Sequence, residues 1–548
     1  MKNKSIWIKA ILVLLILCSV LVLSACGAEE EETTETKKEE EKACEHEFGA
    51  WKITKEALCE DGSRERVCSL CKEKQTDVIE ATVEHEYGEW KILKEASCQN
   101  GEEKEQKCKT CDDVIKEVSL VKGYHNYVDY TCTHCNTKAS KGLIYTLDDE
   151  GKFYTVTGIG ECQDTEIVIM DTYEKLPVIA IADNAFAGNE TITKVILPET
   201  VTTVGTEAFK GCKALASAEL PKSVTAIGKG AFAECEALTS ITLPFVGATK
   251  DAETDTYFGY IFGASSAIEN LTFVPKTLTT VKLDGVEVVP AYAFSGCYMI
   301  TSIELVGVKA IGNNAFADCD GLTSVTVPET VETVGTMAFY GCDSLAAITL
   351  SDGVKSVGAY AFANCAKLAD LTVPASLETI GDAAFKGCVA LKGVSFAGEG
   401  LKTIGESAFE GCVALRSITF ANGLENIGDR AFALCTELEI VKLSATVKSI
   451  GDYAFTGCTK LAAFTVTKNV TVIGESAFAD CTALASVTIE KGAKLVKIEA
   501  NAFAGCTALE ILDSAMDQEA WDAVVKGADW DKDAGKDGEY TLKLAEEE

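Results

Sequence analysis

With 84 acidic against 50 basic side chains in 548 residues, the chain carries a formal net charge of −34. Such a surface repels nucleic-acid phosphates, so DNA and RNA are excluded as partners. The length suits several domains or one long array, and 24 cysteines against four histidines raise the question of what the thiols do.

Residues 1–26 open with Lys2, Lys4 and Lys9, continue through the apolar run ILVLLILCSVLVL and end in Leu-Ser-Ala-Cys. This is the layout of a secretory signal. A Cys directly after Leu-Ser-Ala looks like a bacterial lipobox. That resemblance implies cleavage before Cys26 and a diacylglycerol on its sulfur, tethering an exported protein to the outer face of the cytoplasmic membrane. An uncleaved membrane helix is the alternative, since the run approaches the length a bilayer needs. Residues 27–43, GAEEEETTETKKEEEKA, contain no aromatic residue and are expected to form a disordered acidic linker.

Residues 44–138 repeat a Cys/His pattern. His46 and Cys59 are 13 apart, as are His85 and Cys98, and the C-x2-C pairs Cys68/Cys71 and Cys108/Cys111 follow. A shortened third copy holds His125, Cys132 and Cys135, and Phe48, Trp51, Tyr87, Trp90 and Tyr127 recur beside these residues. Three thiols and one imidazole per copy are the donors of a closed tetrahedral zinc site, which leaves no place for a catalytic water. Modules this small and β-rich would draw much of their stability from a structural metal. Disulfides are the competing expectation for an exported chain, but three Cys per copy cannot pair off internally and a disulfide framework has no need of His in register. The grouping stays open. If each His closes its own copy, the third copy needs a further ligand, His134 or Cys162; if each His closes the copy before, Cys44 and His46 are left over to complete a site with Cys132 and Cys135.

From about residue 176 a longer unit recurs. Phe186, Phe209, Phe232, Phe294, Phe316 and their successors to Phe503 are spaced by 22–25 residues, apart from the one long step between 232 and 294. A degenerate copy with Phe262 fills that step, giving about 14 turns. A fixed period of this size predicts a solenoid. Each turn reads L-x-x-[IV]-x-[LVI], expected as a short parallel strand with alternate residues inward. The following [VL]-x-x-[IV]-G-x-x-A-F-x-x-C is expected to make a short helical turn on the other side. Gly precedes that turn in ten of thirteen clear copies and Pro290 replaces it once. A helix start accommodates both residues, whereas a left-handed glycine does not. The twelve cysteines from Cys212 to Cys506 are predicted to be buried, reduced fillers.

The 23-residue unit is similar to the BspA-like leucine-rich repeats of bacterial surface proteins, and residues 142–188 resemble the segment that opens such arrays. The lipobox and the zinc-ribbon-like Cys/His units resemble their usual companions in lipoproteins of Gram-positive bacteria. The resemblance covers roughly residues 142–512. It implies a right-handed leucine-rich-repeat solenoid (139–512) on an extracellular lipoprotein that binds or adheres to a protein or glycan of a host or neighbouring cell, with the solenoid expected to be monomeric.

Two surfaces are candidates for such a partner. One is the outward strand face, with Ser240, Thr242, Ser324 and Thr326. The other is the irregular turn at 245–289, with Tyr257, Phe258 and Tyr260. Residues 513–548 read as an acidic C-terminal cap carrying Trp521 and Trp530. No enzyme is expected, because all four His precede residue 135 and no P-loop, H-E-x-x-H or G-x-S-x-G motif occurs. A purely structural spacer and a zinc-scavenging lipoprotein remain as alternatives to a binder.

Overall fold

The computed structural model describes residues 47–55, 61–81, 84–94, 98, 101–110 and 113–545. The chain divides into two compact units. One comprises the residues up to Leu93 with Lys104–Glu117, and the other Lys94–Glu103 with Val118–Glu548. In the first unit Lys52–Lys55, Gly62–Val67 and Lys74–Ile79 form a three-stranded antiparallel sheet. The signal segment and the acidic linker, and with them Cys26, lie outside the described residues. Among the described residues no helix is long and apolar enough to cross a membrane.

In the second unit every repeat makes one coil of a parallel-strand solenoid. The L-x-x-[IV]-x-[LVI] segments pair in register with the next copy, as Ser240–Leu243 does with Thr280–Asp284 and Ser324–Val327 with Ala347–Leu350. Sixteen strands, from Glu166–Val168 to Thr541–Lys543, stand in this ladder as sheets of six, six and four. A second ladder is built from two-residue strands, eleven of them between Val288–Val289 and Val525–Lys526. The third side is closed by the Ala-Phe segment, where in most coils the Phe N–H donates to the Ala carbonyl of the next coil, as Phe316 to Ala338, Phe385 to Ala408 and Phe455 to Ala477, all at 2.8 Å. The array opens on the antiparallel pair Ile144–Leu147 and Tyr154–Gly158, which closes the first edge of the second ladder.

The inward positions make one continuous core. The phenylalanines are fully buried and stack ring on ring, centroids 5.0–5.4 Å apart and planes within 14°. Parallel strands rise by about 4.8 Å, so consecutive rings are offset by a fraction of their width, the arrangement aromatic pairs favour. The cysteines are buried and unbridged. They do more than fill space. Eleven of them donate the thiol to the Phe carbonyl of the preceding coil, from Cys212 to Phe186 at 3.3 Å to Cys506 to Phe478 at 3.1 Å.

The third side is not helical. It runs as consecutive tight turns, because the residue before each Ala is left-handed: Glu207 (φ 53°), Met337 (54°), Ala383 (53°) and Arg430 (56°). A second left-handed residue stands two after the Phe, usually Gly, as at Gly211 and Gly457, otherwise Glu234, Asp318, Asn364, Leu434 or Asp480. Two such residues within five break any helical run. The recurrent Gly before them is therefore neither left-handed nor a helix start. A Cβ on Gly381 would fall 2.8 Å from Ala359 N, Gly358 C and Val357 O of the coil before it, so close approach of two backbones excludes a side chain.

The tail is more than a cap. Ile511–Ser514 and Thr541–Lys543 are the fifteenth and sixteenth strands, and Val525–Lys526 extends the second ladder. These coils lack the Phe–Cys signature because tryptophans replace it. Trp530 meets Phe503 edge-on at 6.1 Å, and Trp521 meets Trp530 at 6.3 Å.

Candidate metal centre and binding face

The three Cys/His repeats share one local geometry. The aromatic residue two after the His lies opposite the first Cys of the C-x2-C pair: Phe48 opposite Cys68, Tyr87 opposite Cys108 and Tyr127 opposite Cys132. Each of these cysteines donates its N–H at 2.9 Å to the carbonyl five residues on, that of Glu73, Asp113 or Thr137. The next residue donates to the carbonyl of Glu47, Glu86 or Asn126, which directly follows the His in sequence. The turn aims backbone N–H groups at sulfur, as Cys71 N–H does at Cys68 Sγ (3.5 Å), and such outer contacts orient and stabilise thiolate ligands. The imidazoles stack on their aromatic neighbours, His85 on Tyr87 at 5.6 Å and His125 on Tyr127 at 5.4 Å. His125 thus stands with the C-x2-C pair of its own repeat.

One full donor set comes together, in the second unit. The ligand atoms of Cys98, His125, Cys132 and Cys135 all lie within 4.8 Å of one another. Cys98 Sγ is 3.7 Å from Cys132 Sγ, and Cys135 Sγ is 3.3 Å from His125 Nδ1. Zn–S bonds of about 2.3 Å set a tetrahedral edge of about 3.8 Å, while bonded sulfurs lie about 2 Å apart. The spacing therefore fits four ligands around one ion and not a disulfide. Among the described residues this is the one cluster of its kind.

Of the groupings left open, the structure gathers Cys98, which stands 13 residues after His85, with the residues of the third repeat. Of the further donors considered for that repeat, His134 is exposed on the turn and Cys162 is buried in the solenoid core, and neither is in the cluster. The third repeat has no cysteine between His125 and Cys132, so the loop of the second repeat supplies it. His46, Cys59 and Cys111 lie outside the described residues.

Electrostatics within this cluster favours a cation. Burial works against the Cys132 thiolate, yet the N–H groups of Cys135 and His134 and the His125 ring outweigh it and hold the thiol down at about 5. Cys98, desolvated and facing the other two thiols, is pushed up to about 12. Three thiolates around one point repel one another unless a positive ion lies between them. The centre is anchored to the solenoid through His125, whose N–H donates to the buried Asp171 carboxylate at 2.6 Å and whose carbonyl accepts from Thr172 Oγ1.

Beside it opens a cleft of 780 Å³ walled by Tyr124, Pro177, Ile179, Ile196, Leu197 and Glu199. Nothing in the sequence pointed to this cleft, because its walls come from several separated stretches.

On the outward strand face Ser324 and Thr326 are exposed, as are Thr349, Thr372, Ser395 and Thr419 in the coils that follow. Ser240 and Thr242 are half-buried. The aromatic turn is different from the expectation. Phe258 and Phe262 are fully buried, Tyr257 nearly so and Tyr260 half-buried. The long coil must span the same core with an irregular backbone, and it uses two rings where other coils use one. Phe232 N–H donates to Ile261 O on one side, and Phe258 N–H to Ala293 O on the other. These aromatics are core rather than contact residues.

Residues 179–285, 287–399 and 394–510 match the family described as BspA type Leucine rich repeat region, in six copies. The chain belongs to this family. Among solved structures it is similar to a leucine-rich repeat protein from Bacteroides ovatus ATCC 8483, at 24% identity over 73% of this chain and 98% of that one, with a TM-score of 0.46. A leucine rich cell surface protein from Faecalibacterium prausnitzii A2-165 is 24% identical over 71% and 97%, with a TM-score of 0.29. The pneumococcal vaccine antigen PcpA is 16% identical over 75% and 98%, also with a TM-score of 0.29. No curated protein matches the chain.

Proposed function

We propose that the chain is an exported surface lipoprotein, anchored through Cys26, whose solenoid holds a protein or glycan partner without covalent chemistry. The observation that carries this reading is the outward strand face. It is a regular surface that runs over sixteen paired strands, and it bears exposed hydroxyls that the core does not use. Membership of the BspA type family supports the surface address. The Cys/His repeats are the stalk, with zinc as a structural ion held by Cys98, His125, Cys132 and Cys135. A binder is favoured over an enzyme because the array contains no histidine to act as a base and its cysteines are buried.

The test uses the immobilised chain against host and bacterial surface extracts, beside a variant carrying Thr326→Arg, Thr349→Arg and Thr372→Arg. Capture that is lost in the variant at unchanged circular dichroism supports recognition through this face. Capture that persists undiminished refutes it, and no capture by either form leaves the architectural spacer as the better account.

A further inference from the structure

The cleft beside His125 departs from the surface around it in both polarity and charge. One outward column of the first ladder runs in register from Val168 through Ile196, Glu219, Thr242 and Lys282 to Glu304. In the later strands the same column holds Thr, Ser, Lys or Asp. Val168 and Ile196 are its two apolar members, and both wall the cleft. Ile196 is 41% exposed and Tyr124 59%. The cleft therefore keeps apolar surface open where ordinary coils present hydroxyls or charge.

Two carboxylates, Asp171 and Glu199, face this surface, and no lysine or arginine lines it. Asp171 is only 5% exposed, and its carboxylate accepts from His125 N–H at 2.6 Å and from Thr172 Oγ1 at 3.4 Å. No described lysine or arginine pairs with either carboxylate, whereas elsewhere such pairs bridge neighbouring coils, as Lys213 does to Glu190 and Lys355 to Glu332. A buried carboxylate without a cation is costly. The rings of Tyr124 and Tyr127 belong to the same walls, and ring faces attract positive charge. We propose that the cleft binds a small organic cation, an amine whose apolar body lies on Val168, Ile179 and Ile196 and whose charged head faces Asp171 and Glu199. Its 780 Å³ falls within the range of small-molecule sites, about 300–1,000 Å³. A neutral sugar would leave both carboxylates without a partner, and an anion would be repelled by them. The site lies several coils from Thr326, Thr349 and Thr372, so it stands or falls separately from recognition through the hydroxyl face.

The experiment titrates the full chain with phenethylammonium and with phenethyl alcohol, its neutral counterpart, and follows binding in the NMR signals of the probe. The ammonium should bind, more weakly as salt is raised, and the alcohol should bind about tenfold less tightly. Glu199→Gln should weaken the ammonium by about fivefold. Ile196→Thr, which restores the residue type of the later coils, should weaken it by about as much. Both side chains are exposed, so neither change threatens the fold, and Glu304→Gln, on the same column outside the cleft, should leave binding unchanged. Failure of the ammonium to bind, equal binding of the alcohol, or binding indifferent to both cleft variants overturns the assignment. So does a chain that ignores the ammonium but binds the peptide Gly-Lys-Gly-Lys-Gly, which would make the cleft a protein contact.

Discussion

If the cysteines are buried rungs that donate to carbonyls, alkali should dismantle the solenoid. Desolvation raises the ionisation of eleven ladder thiols above the ordinary value of 9.0, to about 11 at Cys212, about 12 at Cys235 and Cys435, and further at the others. A group held neutral in the folded chain stabilises it fully below the unfolded value and loses that contribution as pH rises toward the folded one. One pH unit above the ordinary value, each thiol therefore costs about 1 kcal/mol, and each further unit about 1 more until it ionises in place. Eleven together amount to on the order of 10–15 kcal/mol at about pH 10, as much as the whole stability of an ordinary domain. Circular dichroism and the ultraviolet absorbance of thiolate should be followed together through the alkaline range. Thiolate should appear only as the strands melt, and Cys365→Ala, Cys388→Ala and Cys412→Ala combined should flatten the loss by about a quarter. Thiolate titrating near its ordinary value with the dichroism intact would refute the buried ladder.

Three further outcomes are expected. Gly381→Ala forces a Cβ onto three backbone atoms at 2.8 Å and strains the bond from its N–H to Val357 O, costing about 2–4 kcal/mol in urea unfolding. Gly492, left-handed but with open space around it, should lose only about 1 kcal/mol as Ala, and equal losses would show that close approach is not the reason for Gly381. Phe385→Ala removes a ring flanked at 5.2 and 5.3 Å and should cost about 3–5 kcal/mol. Phe385→Leu should cost about 1 kcal/mol, and a matching loss for Leu would mean that the stack contributes more than buried area. Burial alone would raise the Glu410 carboxyl, but its bonds from Lys386 and Ser407 bring it below the usual range. That contribution is present above about pH 4.5 and lost as pH falls through the folded value. Lys386→Met should therefore shallow the acid limb of stability, and an unchanged limb would count against the pair.

The period made the solenoid legible, because a coil that recurs every 23 residues must repeat its inward side chains at the same interval, and Phe, Cys, Leu and Val can be seen to do so. The third side was misjudged for a reason the period does not carry. Ala-Phe-x-x-Cys has the spacing of a helical turn, but the left-handed residue before the Ala is Glu, Tyr, Met, Ala, Ser or Arg in nine of the thirteen coils and Asn or Gly in only four, so most copies do not announce a positive φ. Strain of about 1–2 kcal/mol at each such residue is held in place by the Phe-to-Ala hydrogen bonds and the ring stack around it, so the conformation is dictated by the neighbouring coils. The tail escaped for the converse reason. Trp530 takes over the packing of a Phe without keeping the motif, and a pattern search follows letters where the core requires only a ring.

The cluster of Cys98, His125, Cys132 and Cys135 shows where local spacing stops being informative. His85 and Cys98 recur at the interval of His46 and Cys59, and such regularity invites closure within each copy. Yet regular spacing constrains only the repeat length, and a ligand passed to the next copy recurs as faithfully as one kept at home. The shortened third copy breaks the tie. Its missing cysteine can be supplied only from another copy or from the solenoid, and Cys98 approaching Cys132 to 3.7 Å selects the former. The aromatic turn failed as a contact surface by similar logic. Tyr257, Phe258 and Tyr260 were conspicuous because aromatic residues are scarce on the outward face, but an irregular coil has the greatest need of large side chains to fill a core whose neighbours are fixed. Exposure falls instead to the plain hydroxyls of regular coils, where nothing inside competes for them, and a partner that reads this surface must read its repeat.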